Sequence, residues 1–319
     1  MAIAPIAKPP TRCSLNPLAS VFASMDYFLA LTLSGLLSGA VYALVGVAFI
    51  VVYRASSVLN FSLGEWVSLG ARTTSASLHG IGLPVAAAIV VGTAVTAGLA
   101  FCFARTVIRP LIGRPLIAVV MATLALGVFL RGASVLALGG LPTNIPFPLV
   151  DQLWWWGDVA IPPSRVIASS VSIVLVLAVI AFFRLSRAGI AIRSIADDPQ
   201  AASAMGMSVT RYLALAWMIS AALCMAGGVL WSIDGLGGFG MGLVLAKVLP
   251  VVVIGGLTSF GGAFVGAILV GLAENWASGY LDPLIGSTGS GSIIAAIMVI
   301  ATLWMRPAGL FGARLVQRV

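Results

Sequence analysis

Charge is what this sequence lacks. Of its 319 residues nine are acidic and seventeen basic, 8% in all, where an ordinary soluble domain carries about a quarter. So few charges cannot cover a water-facing surface of that size, which excludes a soluble enzyme, a disordered chain and a secreted disulfide scaffold. Histidine occurs once, at His79, leaving little for a histidine-based metal site or catalytic dyad. The cysteines Cys13, Cys102 and Cys224 are far apart and two stand inside apolar runs, so they read as small hydrophobes, not as metal ligands or a disulfide. Lysine occurs twice, at Lys8 and Lys247, each after an alanine. A phosphate-cradling loop ends in Gly-Lys-Ser/Thr, so no such nucleotide site is present, and neither is a nucleophile elbow.

Long apolar runs are what the sequence has instead. No Asp, Glu, Lys or Arg falls in 27–53, 73–104, 166–183, 212–233, 248–273 or 283–305. Crossing the roughly 30 Å hydrocarbon core takes about 20 apolar residues as a helix. Lipid offers the backbone no hydrogen-bond partner, so each run must satisfy itself as a helix. The ten-residue alternating segments of a membrane β-barrel are missing. The fold class is all-α, a polytopic membrane helical bundle. Spans are expected near 27–52, 58–78, 83–104, 116–138, 164–183, 212–233, 243–258, 262–280 and 290–305. The count is eight or nine, because 58–78 either crosses fully or breaks partway.

The excess positive charge follows the membrane, not a nucleic acid. Bases gather at Arg105, Arg109 and Arg114, at Arg184, Arg187, Arg193 and Arg211, and at Arg306, Arg314 and Arg318. Clusters flanking apolar runs mark cytoplasmic segments. Segment 140–163 has Asp151, Asp158 and Trp154-Trp155-Trp156 but no base, and is expected on the other side as an interfacial belt or lid. Residues 1–25, interrupted by prolines, read as a disordered leader, with Met25 as an alternative start. Residues 26–319 then form one transmembrane domain with a basic cytoplasmic loop at 184–211.

Glycine falls at packing intervals: Gly35 with Gly39, and Gly262 with Gly266, each four apart in apolar helices. Small residues at that spacing let helix backbones approach closely. The glycine-rich run 235–242 is a loop or a flexible gate on the outer side.

Ionisable residues within spans are costly and so suggest function. Glu65 is the first candidate, because Asn60, Ser62 and Gly64 share its stretch, and polar side chains on unwound backbone are how carriers build polar sites. Glu274 either lines a path or sits at the outer interface. Arg131 is expected to snorkel to the far interface, and Asp234 to be a solvated boundary residue. In the basic loop, Asp198-Pro199 has the form of a helix start, an acidic cap followed by proline. Gln200, Ala201, Ala202, Ser203, Ala204 and Met205 then give a short helix ending at Gly206. A helix of this length is marginal alone, so it either lies on the membrane surface or is held by another molecule.

Gln200-Ala201-Ala202-x3-Gly206 resembles the EAA-x3-G cytoplasmic loop of ABC importer permeases, with Gln for Glu. From about Leu33 onward the chain resembles permeases of branched-chain amino acid ABC transporters, the LivH type. The resemblance runs through Tyr42-Ala43-Leu44, Asn60-Phe61-Ser62-Leu63-Gly64-Glu65, Arg109-Pro110-Leu111, Arg193 to Asp198, Val253-Ile254-Gly255-Gly256-Leu257 and Arg306-Pro307-x-Gly309-Leu310-Phe311-Gly312. It implies a multi-pass subunit of the bacterial inner membrane that is not itself an enzyme. It implies a second permease, either of the LivM type or a homodimer copy. It further implies two ATP-binding cassette subunits that carry ATP and Mg and dock on the loop around Asp198, Gln200, Ala201, Ala202 and Gly206, and a periplasmic binding protein. No cofactor is expected on this chain. The substrates implied are branched-chain or related small amino acids and amides, with a translocation path past Asn60, Ser62, Gly64, Glu65 and Glu274. An ion-coupled secondary carrier is the alternative, and a passive channel or a membrane scaffold are further classes.

Overall fold

The structure, a computed structural model, describes residues 17–111, 113–142, 145, 153–156, 159–233, 244–286 and 288–312. Its helices are α1 (Pro17–Ser56), α2 (Leu63–His79), α3 (Val85–Phe103), α4 (Arg109–Leu111), α5 (Leu116–Leu138), α6 (Pro163–Leu185), α7 (Arg187–Asp197), α8 (Pro199–Ala204), α9 (Val209–Ile233), α10 (Val244–Gly255), α11 (Phe260–Ile285) and α12 (Ser290–Met305). A π-helical turn, Ala104–Ile108, joins α3 to α4 into one rod. Among the described residues, six helical stretches are long and apolar enough to cross a membrane, while α10 and α12 are shorter apolar helices. The bundle is helical as the composition requires, with one addition: Trp154–Trp156 (β1) and Val159–Ile161 (β2) form an antiparallel hairpin, Trp154 opposite Ile161. The segment expected to form an interfacial belt or lid thus contains two paired strands, of which β2 meets α1. Asp151, Asp158, Asp234 and the glycine run 235–242 lie outside the described residues, as do Cys13, Arg314 and Arg318.

Helix α1 begins at Pro17, inside the segment read as a leader. It is the centre of the bundle, packed against α6, α9, α10 and α11. From Ala40 to Val52 its residues are buried on every face. An all-round apolar helix has no lipid or water side to distinguish, and here it is surrounded by protein.

The paired glycines sit where helices touch. A Cβ on Gly39 would stand 2.9 Å from the Ala267 carbonyl oxygen of α11, and one on Gly35 2.9 Å from Leu272 Cα. Gly262 and Gly266 do the same against the Gly255 and Val251 backbone of α10. Gly39→Val is therefore expected to separate α1 from α11 and lower the stability of the purified chain by about 1–3 kcal/mol, as overpacking does. Gly98→Val, where a Cβ meets nothing within 4 Å, is expected to leave the thermal midpoint unchanged. Equal midpoints for the two variants would remove the packing role.

One end of the bundle gathers the arginines. Arg54 at the end of α1 and Arg184 at the end of α6 share a cavity with Arg193 of α7 and the α10–α11 turn. Arg114 shares another with the ends of α1 and α7 and the start of α9. The chain after α12 returns to this end, where Leu310 and Phe311 N–H groups donate to the carbonyls of Ile254 (2.8 Å) and Gly255 (3.2 Å). By the positive-inside rule this end is cytoplasmic. At the other end Tyr27 donates to the Gly279 carbonyl and Phe28 stacks on Trp276. Helix α1 thus starts at the end of the bundle opposite the arginines.

Candidate functional site

The chain turns back at Ser57 and does not become helical until Leu63. The Phe61 N–H donates to Thr123 Oγ1, and Thr123 Oγ1 donates to the Leu59 carbonyl, both at 3.4 Å. Ser62 lies against Gly127 of the same helix, α5. Those positions are 7 and 11 residues past Leu116, roughly 10–16 Å from the cytoplasmic end at 1.5 Å per residue. Helix α2 therefore starts near mid-bilayer. The segment that was to cross fully or break partway breaks.

Polar side chains replace the missing helical turn. Ser62 donates to Asn60 Oδ1 through both its N–H (3.1 Å) and its hydroxyl (2.6 Å). The Trp66 indole N–H donates to Ser62 Oγ at 3.1 Å. Asn60, Ser62 and Gly64 are buried, the first two bonded to each other, while Glu65 is half-buried on the α5 side. Glu65 interacts electrostatically with Arg131 and Arg72. Arg131 was expected to snorkel outward. It is exposed on α5, and its charge also acts on Glu65. Arg72, in the buried polar half of α2, was not foreseen. It is tolerated because α3, α5 and α9 flank this helix.

Glu274 does not join this group. It is buried on α11, where it pairs with Lys247 of α10 and accepts a hydrogen bond from the Tyr42 hydroxyl at 2.9 Å. Lys247 also donates to that hydroxyl at 3.4 Å, and Tyr42 stacks on Trp231 with ring centres 5.2 Å apart. Glu274 is 14 residues past Phe260 and Tyr42 14 before Ser56, so both stand about 21 Å above the cytoplasmic end. The Lys247 side chain is 35% accessible and Glu274 11%. Sequence reasoning weighed Lys247 only as a phosphate ligand. A charge in the apolar stretch 244–255 was the signal that could have found it.

The third feature is α8. Asp198 Oδ1 accepts from the N–H groups of Gln200 and Ala201, both at 2.9 Å, so the expected cap exists. Gly206 closes the turn with φ +82°, a left-handed conformation that glycine adopts without strain. Ala202 is buried at 2% exposure, while Gln200, Ala201, Ser203, Ala204, Met205 and Gly206 are exposed. Ala202 anchors this helix, and its neighbours from Gln200 to Gly206 face out.

A bundle of apolar helices with a mid-membrane break, charged groups at bilayer depth and a capped helix presented on the basic side is a multi-pass membrane permease. Residues 31–303 match the family model described as "Branched-chain amino acid transport system / permease component", and the chain belongs to that family. It is 27% identical over 311 residues to the high-affinity branched-chain amino acid transport system permease protein LivH of Escherichia coli K12, covering 92% of this chain and 98% of that protein. It is 25% identical over 307 residues to the corresponding permease protein BraD of Pseudomonas aeruginosa, with the same coverage.

Proposed function

We propose that this chain is the membrane permease of an ABC importer of the inner membrane, moving branched-chain or related small amino acids or amides. The observation that carries this reading is the exposed α8 on the basic end of a permease whose sequence has no nucleotide-binding loop. Two ATP-binding subunits, carrying ATP and Mg, dock on Asp198 to Gly206. Their closure pushes on α8 and the adjoining α7 and α9, rocking the spans between outward and inward access. A second permease, LivM-like or a second copy of this chain, completes the path, and a periplasmic binding protein delivers substrate. The path passes the broken start of α2, where Asn60, Ser62 and Gly64 hold the backbone open and Glu65, Arg72 and Arg131 supply charge. Arg131 is exposed on α5 and there needs water or a protein partner, since lipid cannot solvate a charge. Glu65 then meets an ammonium group and Arg131 a carboxylate. Glu274, paired with the partly accessible Lys247, stands higher along the route.

The test is uptake by proteoliposomes. Radiolabelled leucine should enter only when ATPase, second permease and binding protein are all present and ATP is on the cytoplasmic side. The intramembrane Lys247–Glu274 pair is the feature an ion-coupled carrier would need. Uptake by this chain alone, driven by a proton or sodium gradient and indifferent to ATP, would establish that reading instead.

A further inference from the structure

The cytoplasmic end holds a cavity of about 470 Å³ between the ends of α1 and α6, helix α7 and the start of α11. Three guanidinium groups line it, Arg54, Arg184 and Arg193, together with Thr258 and Ser259. Arg54 is held over the Phe260 ring, 5.1 Å from its centre. Arg193 buries its Nε with no hydrogen-bond partner among the described residues. Asp197 offsets part of the Arg54 charge, which leaves the cavity cationic. The positive end of the 26-residue helix α11 opens at the same place, adding to the potential that favours an anion.

We infer that this cavity binds the phosphate group of an anionic lipid from the cytoplasmic leaflet. Arg54 and Arg184 are in the last turns of their membrane helices, the height at which lipid phosphates lie. Beside the cavity, α6 exposes Leu177 and Leu185, an apolar surface on which acyl chains can rest. Helices α6 and α11 both pack on α1 and meet beside the cavity at the Phe183–Phe260 ring contact. A basic pocket between transmembrane helices on the cytoplasmic side matches the chemistry of anionic headgroups. A free phosphate would use the same guanidinium groups but not the apolar wall.

The purified full-length chain in neutral detergent is titrated with phosphatidylglycerol, phosphatidylcholine or inorganic phosphate, with binding read by native mass spectrometry and by the thermal midpoint. Phosphatidylglycerol is expected to bind and raise the midpoint, less so at high salt, and phosphatidylcholine is not. The double variant R54Q/R193Q is expected to weaken phosphatidylglycerol binding roughly tenfold or more. Arg184 is exposed, so Arg184→Gln provides a folded variant in which binding falls by a smaller factor. Equal stabilisation by inorganic phosphate at the same concentration would overturn the lipid assignment. Undiminished phosphatidylglycerol binding by R184Q and R54Q/R193Q would overturn the site, and with loss of ATPase-subunit assembly would assign the arginines to a protein partner.

Discussion

Ala201→Arg is expected to abolish ATP-driven uptake by the assembled transporter while membrane insertion and the thermal midpoint of the chain stay as they were. Ala201 is exposed on α8 and donates only its N–H to Asp198, so the larger side chain disturbs no contact within this subunit. It does stand between α8 and whatever docks there. A loss of at least tenfold corresponds to about 1.4 kcal/mol of coupling, well within what a single contact between moving parts carries. Gly206→Arg should also abolish uptake, but at φ +82° any side chain strains the backbone by about 1–2 kcal/mol. Gly206→Ala separates the two causes: a Cβ there meets nothing within 4 Å, so it adds strain without bulk. Full uptake by Ala201→Arg in the complete assembly would mean that α8 is not where force enters.

The second large effect is expected at the pair in the outer half. Glu274→Ala leaves the Lys247 ammonium without its carboxylate at bilayer depth, and breaking such a pair costs about 3–5 kcal/mol. Lys247→Met strands Glu274, which is buried more deeply, at a similar cost. The double variant Lys247→Met/Glu274→Leu removes both charges and is expected to return to within about 1 kcal/mol of the parent, because the desolvation penalty disappears with the attraction. Thermal unfolding of the four proteins gives this cycle directly. If the double variant is stable but transport-dead, the pair serves the path; if it transports normally, the pair is only a strut. Single variants as stable as the parent would contradict the geometry itself.

The sequence made several of these features legible for local reasons. Asp198 and Pro199 state a helix start within two residues, and the cap bonds are confined to the next two N–H groups. The break before Leu63 was visible because Asn60, Ser62, Gly64 and Glu65 interrupt an apolar pattern. The paired glycines were visible as spacing, though not which helix they meet. The partners of the charges were not legible. Glu65 feels the charges of one position on its own helix and one on α5, and Glu274 pairs with its cation on α10 across a turn. Each residue alone is a costly charge in a span, and nothing in the order of residues says which costly charge offsets which. The hairpin at Trp154 to Ile161 was missed because three-residue strands carry almost no periodicity.

Hydropathy by itself determined that this chain is a bundle of membrane helices, with its basic loops on one side and a short capped helix among them. It did so because hydrocarbon forces each long apolar run to satisfy its backbone as a helix. Only the tertiary structure decided which of those helices is the core. Residues of the same kind are fully buried in α1, as Val45 and Ile50, and face outward in α5, as Val128 at 75% exposure and Leu136 at 90%. Lipid is as apolar as leucine, so an outward position and an inward one ask for the same side chain. Which helix stands at the centre is set by close approach at glycine and by polar groups that must find each other, and both are properties of the packed chain.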